Sequence, residues 1–137
     1  MSEATELALR ALRHRDRSRH DLDERLARAG ISSADREQAL DGLAEAGFLS
    51  DERFAEARAL SLAERAAGDG LIRRELRQHG IEEEVVENVL AQLQPEAERA
   101  ERVFARRGRD RKALRYLAAR GFAAESVERL APGDPLH

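Results

Sequence analysis

The sequence predicts an all-α protein: a tandem array of three three-helix repeats, each a helix-turn-helix-like bundle, in an elongated or curved arrangement. Ala, Leu, Arg and Glu dominate the composition and favour helix, whereas five Val and three Ile supply little material for strands. Glycines that can end helices recur along the chain, and the segments around them repeat in register. Many of the apolar residues are Ala, which suits several small cores better than one thick core.

Start and stop signals divide the chain into nine helices. Gly follows an apolar periodic segment, as at a helix C-terminus, at Gly30, Gly47, Gly80, Gly108 and Gly121. Helix starts are indicated by Ser18-x-x-Asp21, Ser32-x-x-Asp35, Ser50-Asp51-Glu52 and Pro95. Pro132 and Pro135 exclude a long C-terminal helix. The predicted helices span residues 3–14, 18–29, 33–46, 51–66, 70–79, 83–93, 95–107, 110–120 and 124–130, each boundary to within about 2–4 residues.

The segments around three of these glycines, Gly30, Gly80 and Gly121, align with one another. Leu lies four residues before each Gly, and Ile31, Ile81 or Phe122 follows it. One Leu-x-x-x-Gly-Ile segment is only a tight helix–helix turn, but three in register indicate a repeat. We predict repeats over residues 1–49, 50–94 and 95–131, followed by a short tail over 132–137. The segment 66–70, Ala-Ala-Gly-Asp-Gly, is predicted to be a flexible joint.

Each repeat is predicted to enclose its own core. The first core would contain Leu26, Ile31 and Leu40. The second would contain Phe54, Ile72, Leu76, Ile81, Val86 and Leu90. The third would contain Phe104, Leu114, Leu117, Phe122 and Leu130.

Four motifs in this order resemble the RecX family over roughly residues 4–130. They are Arg17-Ser18-x-x-Asp21-Leu22-x-x-x-Leu26-x-x-x-Gly30-Ile31, Gly47-Phe48-Leu49-Ser50-Asp51-Glu52-Arg53-Phe54-Ala55, Gly70-Leu71-Ile72-Arg73-Arg74-Glu75-Leu76-x-x-x-Gly80-Ile81 and Leu117-x-x-Arg120-Gly121-Phe122. Ser50 stands where the family usually has a second Asp, and both residues cap helices well. The resemblance implies a protein that binds the RecA filament on single-stranded DNA and lowers its ATPase, strand-exchange and co-protease activities.

Catalytic and metal-binding patterns are missing from the sequence, so we expect neither an enzyme nor a bound cofactor. There is no Cys, and the four His form no H-E-x-x-H motif. Asp21-x-Asp23-Glu24 is better interpreted as helix surface than as a metal site, and Gly68-Asp69-Gly70 lacks the Lys-Ser/Thr of a phosphate-binding loop. No apolar run approaches the roughly 20 residues that span a bilayer, and Met1-Ser2-Glu3 does not resemble a signal peptide. A cytoplasmic protein without a membrane contact is therefore expected.

Positive charge is concentrated in two arginine-rich segments, although the net charge is −3. Residues 10–19 carry a net +4 and residues 99–115 a net +6, and each segment covers the join between the first two helices of a repeat. The pairs Glu98–Arg102 and Glu101–Arg102 are expected to balance part of this charge. Repetition could bring the joins onto one face that meets acidic protein or phosphate. The candidate partner-binding residues are Arg10, Arg13, Arg15, Arg17, Arg19, Arg73, Arg74, Arg106, Arg107, Arg109, Arg111 and Lys112.

Three functions remain open from these residues: a modulator of the RecA filament, a stand-alone helix-turn-helix DNA-binding protein, and a helical-repeat adaptor with an unrelated partner. The acidic net charge disfavours tight independent DNA binding and leaves only weak direct DNA contact. Aromatic residues make up 4% of the chain, so few rings could stack on single-stranded bases. No large exposed apolar patch is evident, and a monomer is expected.

Overall fold

The computed structural model describes residues 1–131, and within that range it contains nine helices and no strand. The helices are α1 Glu3–Leu12, α2 Arg19–Arg28, α3 Ser33–Glu45, α4 Asp51–Glu64, α5 Asp69–Gln78, α6 Glu83–Gln92, α7 Glu96–Arg106, α8 Arg111–Ala119 and α9 Ala124–Glu128. The all-α prediction is confirmed. The predicted tail, residues 132–137, lies outside the described residues.

The helix boundaries follow the capping residues. Side chains of Ser18, Ser32, Ser50 and Asp110 each accept a hydrogen bond from a backbone N–H in the first turn of the helix that they precede. The five predicted glycines all have positive φ, between 74° and 97°, as the left-handed residue after a helix requires. Helix α1 ends two residues earlier than predicted, because the chain turns at His14, whose N–H donates to the Ala11 carbonyl.

Consecutive helices pack as three triplets: α1–α3, α4–α6 and α7–α9. Each triplet encloses a separate apolar cluster, and the residues predicted for each core lie in it or pack against it. Leu26, Leu76 and Leu117 hold corresponding places in the three triplets and are at most 1% exposed. The structure therefore confirms the predicted array of three-helix units.

Side chains join the first triplet to the second. The Oδ1 of Asp51, at the start of α4, accepts the N–H of Arg19 at the start of α2, at 2.7 Å. His79 at the end of α5 lies 2.6 Å from the Asp21 carboxylate (Nδ1 to Oδ2) and places its ring edge-on to Phe54, with centroids 5.1 Å apart. Burial raises the pKa of Asp51, and the Arg19 N–H partly opposes that rise.

Backbone groups join the second triplet to the third. The N–H of Gly68 donates to the Arg120 carbonyl at 2.9 Å, and the N–H of Gly70 donates to the Gly121 carbonyl at 3.0 Å. A Cβ on Gly68 would lie 2.4 Å from the backbone nitrogen of Phe122. The prediction of a flexible joint over residues 66–70 was wrong, because these glycines allow one backbone to pack directly against another.

Buried polar side chains complete the second junction. Arg99, only 7% exposed, donates to the Ala67 carbonyl at 3.0 Å and also bonds to the Asp69 carboxylate. Glu96, the first residue of α7, accepts the N–H of Asp69 at 2.8 Å. The N–H groups of Asp69 and Gly70 in the first turn of α5 are thus engaged within the protein and are not available to a phosphate.

Candidate partner-binding surface

Seven of the twelve candidate cations are exposed and form neither an ion pair nor a cation–π contact with any residue of the described chain. They lie on α1 and the turn that follows it, on α5, and on either side of the α7–α8 turn. They are Arg10, Arg13, Arg15, Arg74, Arg106, Arg111 and Lys112. A guanidinium without an internal partner keeps its five donors for another molecule or for water.

Three further candidates form ion pairs within the protein. Arg19 lies 2.6 Å from Asp41, and Arg109 lies 2.8 Å from Glu101. Arg73 bonds both carboxylate oxygens of Glu87, at 2.8 and 3.3 Å. A partner would have to displace a carboxylate to use these cations.

The pairs on the surface of α5 shift the titration of their members. The hydrogen bond to Glu87 raises the pKa of Arg73 and lowers the pKa of Glu87. One turn further along α5, the hydrogen bond to Glu83 has the same effect on Arg77 and lowers the pKa of Glu83. These pairs stabilise the charged forms, so both carboxylates stay ionised at neutral pH.

The remaining two candidates contact neutral groups. Arg17 is half-buried, and its Nε donates to the Ala11 carbonyl at 3.3 Å. Burial lowers the pKa of Arg17, and the nearby charges of Arg15 and Arg25 lower it further. Arg107 places its guanidinium 3.5 Å from the ring centroid of Tyr116.

Arg111 and Lys112 occupy the first turn of α8, where positive charge is unfavourable. The N-terminus of a helix carries a partial positive charge, and anions are the side chains that stabilise it. Asp110 supplies that stabilisation by accepting the N–H of Ala113 at 2.9 Å. The two exposed cations beyond it do not stabilise the helix, which favours a role in binding.

The structure tests the two ion pairs that were expected for Arg102. Arg102 bonds the Oε1 of Gln94, and Glu101 bonds Arg109, so the predicted pairs of Arg102 with Glu98 and Glu101 were wrong. The chain turns between α6 and α7, and this brings Gln94 close to Arg102. Helical spacing alone does not reveal that contact.

The carboxylates of the possible metal motif bind different partners. Asp21 bonds His79, Asp23 bonds Arg36, and Glu24 lies near His20. No group of three potential ligands for a metal ion occurs among residues 1–131. In the same range, no helix is both long enough and apolar enough to cross a membrane.

Cations lie close together at two joins, the one between α1 and α2 and the one between α7 and α8. Arg15 and Arg17 are close enough to influence each other, and Arg106 and Arg107 line one hollow beside Tyr116. One continuous stripe across all three triplets stays a prediction. A groove beside this hollow contains Leu60 and was not predicted from the sequence. The sequence does carry one sign of it, because Leu60 stands where the first repeat, 50 positions earlier, has the charged residue Arg10.

Fold and surface together define an all-α tandem-repeat protein with exposed, unpaired cations near its helix joins. A family model described as "RecX, second three-helix domain" matches residues 50–90. The regulatory protein RecX of Halorhodospira halophila is 38% identical over 130 residues, which cover 88% of this chain and 81% of that protein. The regulatory protein RecX of Chromohalobacter salexigens is 40% identical over 129 residues, with 88% and 85% coverage.

Solved structures agree with these sequence relationships. The crystal structure of RecX from Lactobacillus salivarius matches with a TM-score of 0.80 at 19% identity and covers 93% of this chain and 92% of that one. A second crystal structure, of a regulatory protein RecX, matches with the same TM-score at 25% identity. The first likeness shows the shared fold, and the sequence identities show the relationship. The chain belongs to the RecX family of regulatory proteins.

Proposed function

We propose that this protein binds RecA and inhibits the RecA filament on single-stranded DNA, lowering its ATPase, strand-exchange and co-protease activities. The observation that carries the proposal is the similarity to regulatory proteins RecX over 88% of the chain. The protein acts by binding as a monomer in the cytoplasm, without catalysis and without a cofactor.

The free cations supply the electrostatic part of this binding. A nucleoprotein filament offers two anionic surfaces, the DNA phosphates and the acidic side chains of its protein. Each exposed ion pair contributes only about 0.2–1 kcal/mol, and salt weakens it further. Several cations must therefore act together, and apolar contact must add to them, to give useful affinity.

The test is a titration of the protein into RecA hydrolysing ATP on circular single-stranded DNA. We expect hydrolysis to fall at a protein-to-RecA ratio well below one. Two double variants, Arg13→Glu with Arg15→Glu and Arg111→Glu with Lys112→Glu, should each require more protein for the same inhibition. Arg28→Glu is the matched control, because Arg28 is exposed, has no ion pair within residues 1–131 and lies outside the candidate set. Unchanged hydrolysis at saturating protein contradicts the proposal.

Independent DNA binding is the second candidate, and the cations in the first turn of α8 favour it. It requires affinity for naked DNA that falls steeply as salt rises, with a slope that reports the number of phosphates contacted. The net charge of −3 disfavours it. If the protein bound naked DNA tightly at physiological salt and did not affect RecA, this candidate would replace the first. A pull-down that captured another protein and no RecA would favour an adaptor.

A further inference from the structure

A groove of about 430 Å³ lies between the second and third triplets. The last turns of α4 form one wall, one face of α7 forms the other, and the link between α6 and α7 closes one end. The wall residues used below are Leu60, Ala63, Glu64, Arg102, Val103 and Arg106. On each helix they fall within five consecutive positions and include pairs three and four apart, so each wall is one face of a helix.

The three-helix fold does not require apolar residues at the positions that line this groove. Leu60 is 53% exposed, although the most buried residues of its triplet are less than 1% exposed. In the register that aligns Gly30 with Gly80, Arg10 and Arg13 occupy the places of Leu60 and Ala63, and both are exposed. Because a charged residue suits the same place in the first triplet, folding does not explain an exposed leucine here.

The rim of the groove carries a surplus of positive charge. Arg102 is fixed there by its bond to the side chain of Gln94. Arg106 is exposed and also lines the adjoining hollow with Arg107. Within the described range, Glu64 is the one carboxylate among the groove's lining residues, whereas Arg99 at its base is already bound to Asp69. Both free arginines lie on α7, so that side of the rim attracts anionic groups beside the apolar floor formed by Leu60, Ala63 and Val103.

We infer that this groove binds a peptide segment of a partner protein in which an aliphatic side chain is flanked by carboxylates. The aliphatic group packs on Leu60, Ala63 and Val103, and the carboxylates pair with Arg102 and Arg106. The two walls belong to different triplets, so the bound segment bridges the junction. This inference does not depend on which protein supplies the segment.

Nucleic acid fits the same groove less well. Among residues 1–131 no aromatic side chain lines it, so no ring of this part of the chain offers a base a stacking surface there. The ring of Tyr116, in the adjoining hollow, is covered by Arg107 at 3.5 Å. Phosphates would meet the rim but would leave the apolar floor empty.

The test is a titration of ¹⁵N-labelled protein with three synthetic helical peptides and with oligothymidylate, followed by amide shifts in two-dimensional spectra. The first peptide combines leucine with glutamate, the second replaces its leucines with serine, and the third replaces its glutamates with lysine. We expect the first peptide alone to shift the amides of Leu60, Ala63 and Val103 in a saturable way. Equal binding of the serine peptide would show that charge alone is recognised and would overturn the inference. Stronger shifts of the same amides by oligothymidylate would replace the peptide with nucleic acid.

Variants separate the two parts of the recognition. Leu60→Asp should weaken binding of the leucine–glutamate peptide about tenfold or more, because it removes the apolar contact and adds a repelling charge. Arg102→Glu with Arg106→Glu should weaken binding at low salt by a similar factor and reduce its salt dependence. Arg28→Glu should bind like the wild type. All four positions are exposed, so circular dichroism should show unchanged folding. Peptide affinity unaffected by both groove variants contradicts the inference.

These outcomes are independent of the RecA titration. A groove that fails to bind the peptide leaves inhibition of RecA untouched, and a protein without effect on RecA leaves the peptide result standing.

Discussion

Gly68→Ala tests the backbone contact between the second and third triplets. The φ of Gly68 is −83°, which any residue adopts, so alanine adds no backbone strain. Its Cβ would lie 2.4 Å from the nitrogen of Phe122 and 2.5 Å from the carbonyl carbon of Gly121. Both are backbone atoms and cannot move aside as a flexible side chain would, so the third triplet must shift as a unit.

The cost follows from what that shift disrupts. Two backbone hydrogen bonds cross the junction at Gly68 and Gly70, and each contributes about 1 kcal/mol. Overpacking adds a further cost of about 1–3 kcal/mol, so we expect a total loss of about 3–5 kcal/mol. Thermal unfolding followed by circular dichroism measures the total. Amide hydrogen exchange should show the loss of protection concentrated in residues 95–131.

Gly42→Ala is the matched control. Gly42 lies inside α3, and a Cβ there meets nothing within 4 Å. The same chemical change should stabilise the protein by about 0.5–1 kcal/mol, because alanine favours helix more than glycine does. Wild-type stability and unchanged exchange in Gly68→Ala would refute the close packing of this junction.

Three other substitutions test separate contacts. Arg99→Met should cost about 3 kcal/mol in the free energy of unfolding, because it leaves Asp69 without its buried partner; a loss under about 0.5 kcal/mol in urea unfolding would contradict this. Ser18→Ala should cost about 1 kcal/mol, since Ser18 is fully buried and caps α2, and a Tm equal to that of the wild type would exclude the cap as a stabilising contact. Glu87, whose pKa is lowered by Arg73, contributes stability above its unfolded pKa of about 4.5 that is lost as the pH falls through its folded value. Glu87→Gln should remove this contribution of less than about 1 kcal/mol and flatten acid unfolding below pH 5, and an unchanged pH profile would show that the pair adds nothing.

Local signals predicted the fold well because its helices are set by local chemistry. Glycine after an apolar run and serine before an acidic turn each specify a backbone conformation within a few residues. The repeat register then placed Leu26, Leu76 and Leu117 in three separate cores, because equal spacing from a helix end puts a residue on an equal face.

Contacts between repeats were beyond this reasoning. Gly68 and Gly70 were interpreted as a flexible segment. A sequence shows that glycine has no side chain, but it does not show which backbone packs in the space that this leaves. Arg99 was counted as surface charge, although its distant partner, Asp69, makes burial possible. The same limit applies to the candidate cations. An arginine is paired within the protein when a carboxylate from another helix lies beside it, and local sequence spacing does not reveal that carboxylate.

The two junctions share one contact and differ in another. Asp51 and Glu96 are each the first residue of a triplet, and each accepts the first N–H of the second helix in the preceding triplet. This capping contact, present at both junctions, fixes the position of each triplet relative to the preceding one. Beside it, a Cβ on Gly80 would meet the side chain of His20, whereas one on Gly121 would meet the backbone of Leu71. Because a histidine side chain can rotate and a backbone cannot, we expect the first junction to adjust more readily than the second, which lies beside the groove between α4 and α7.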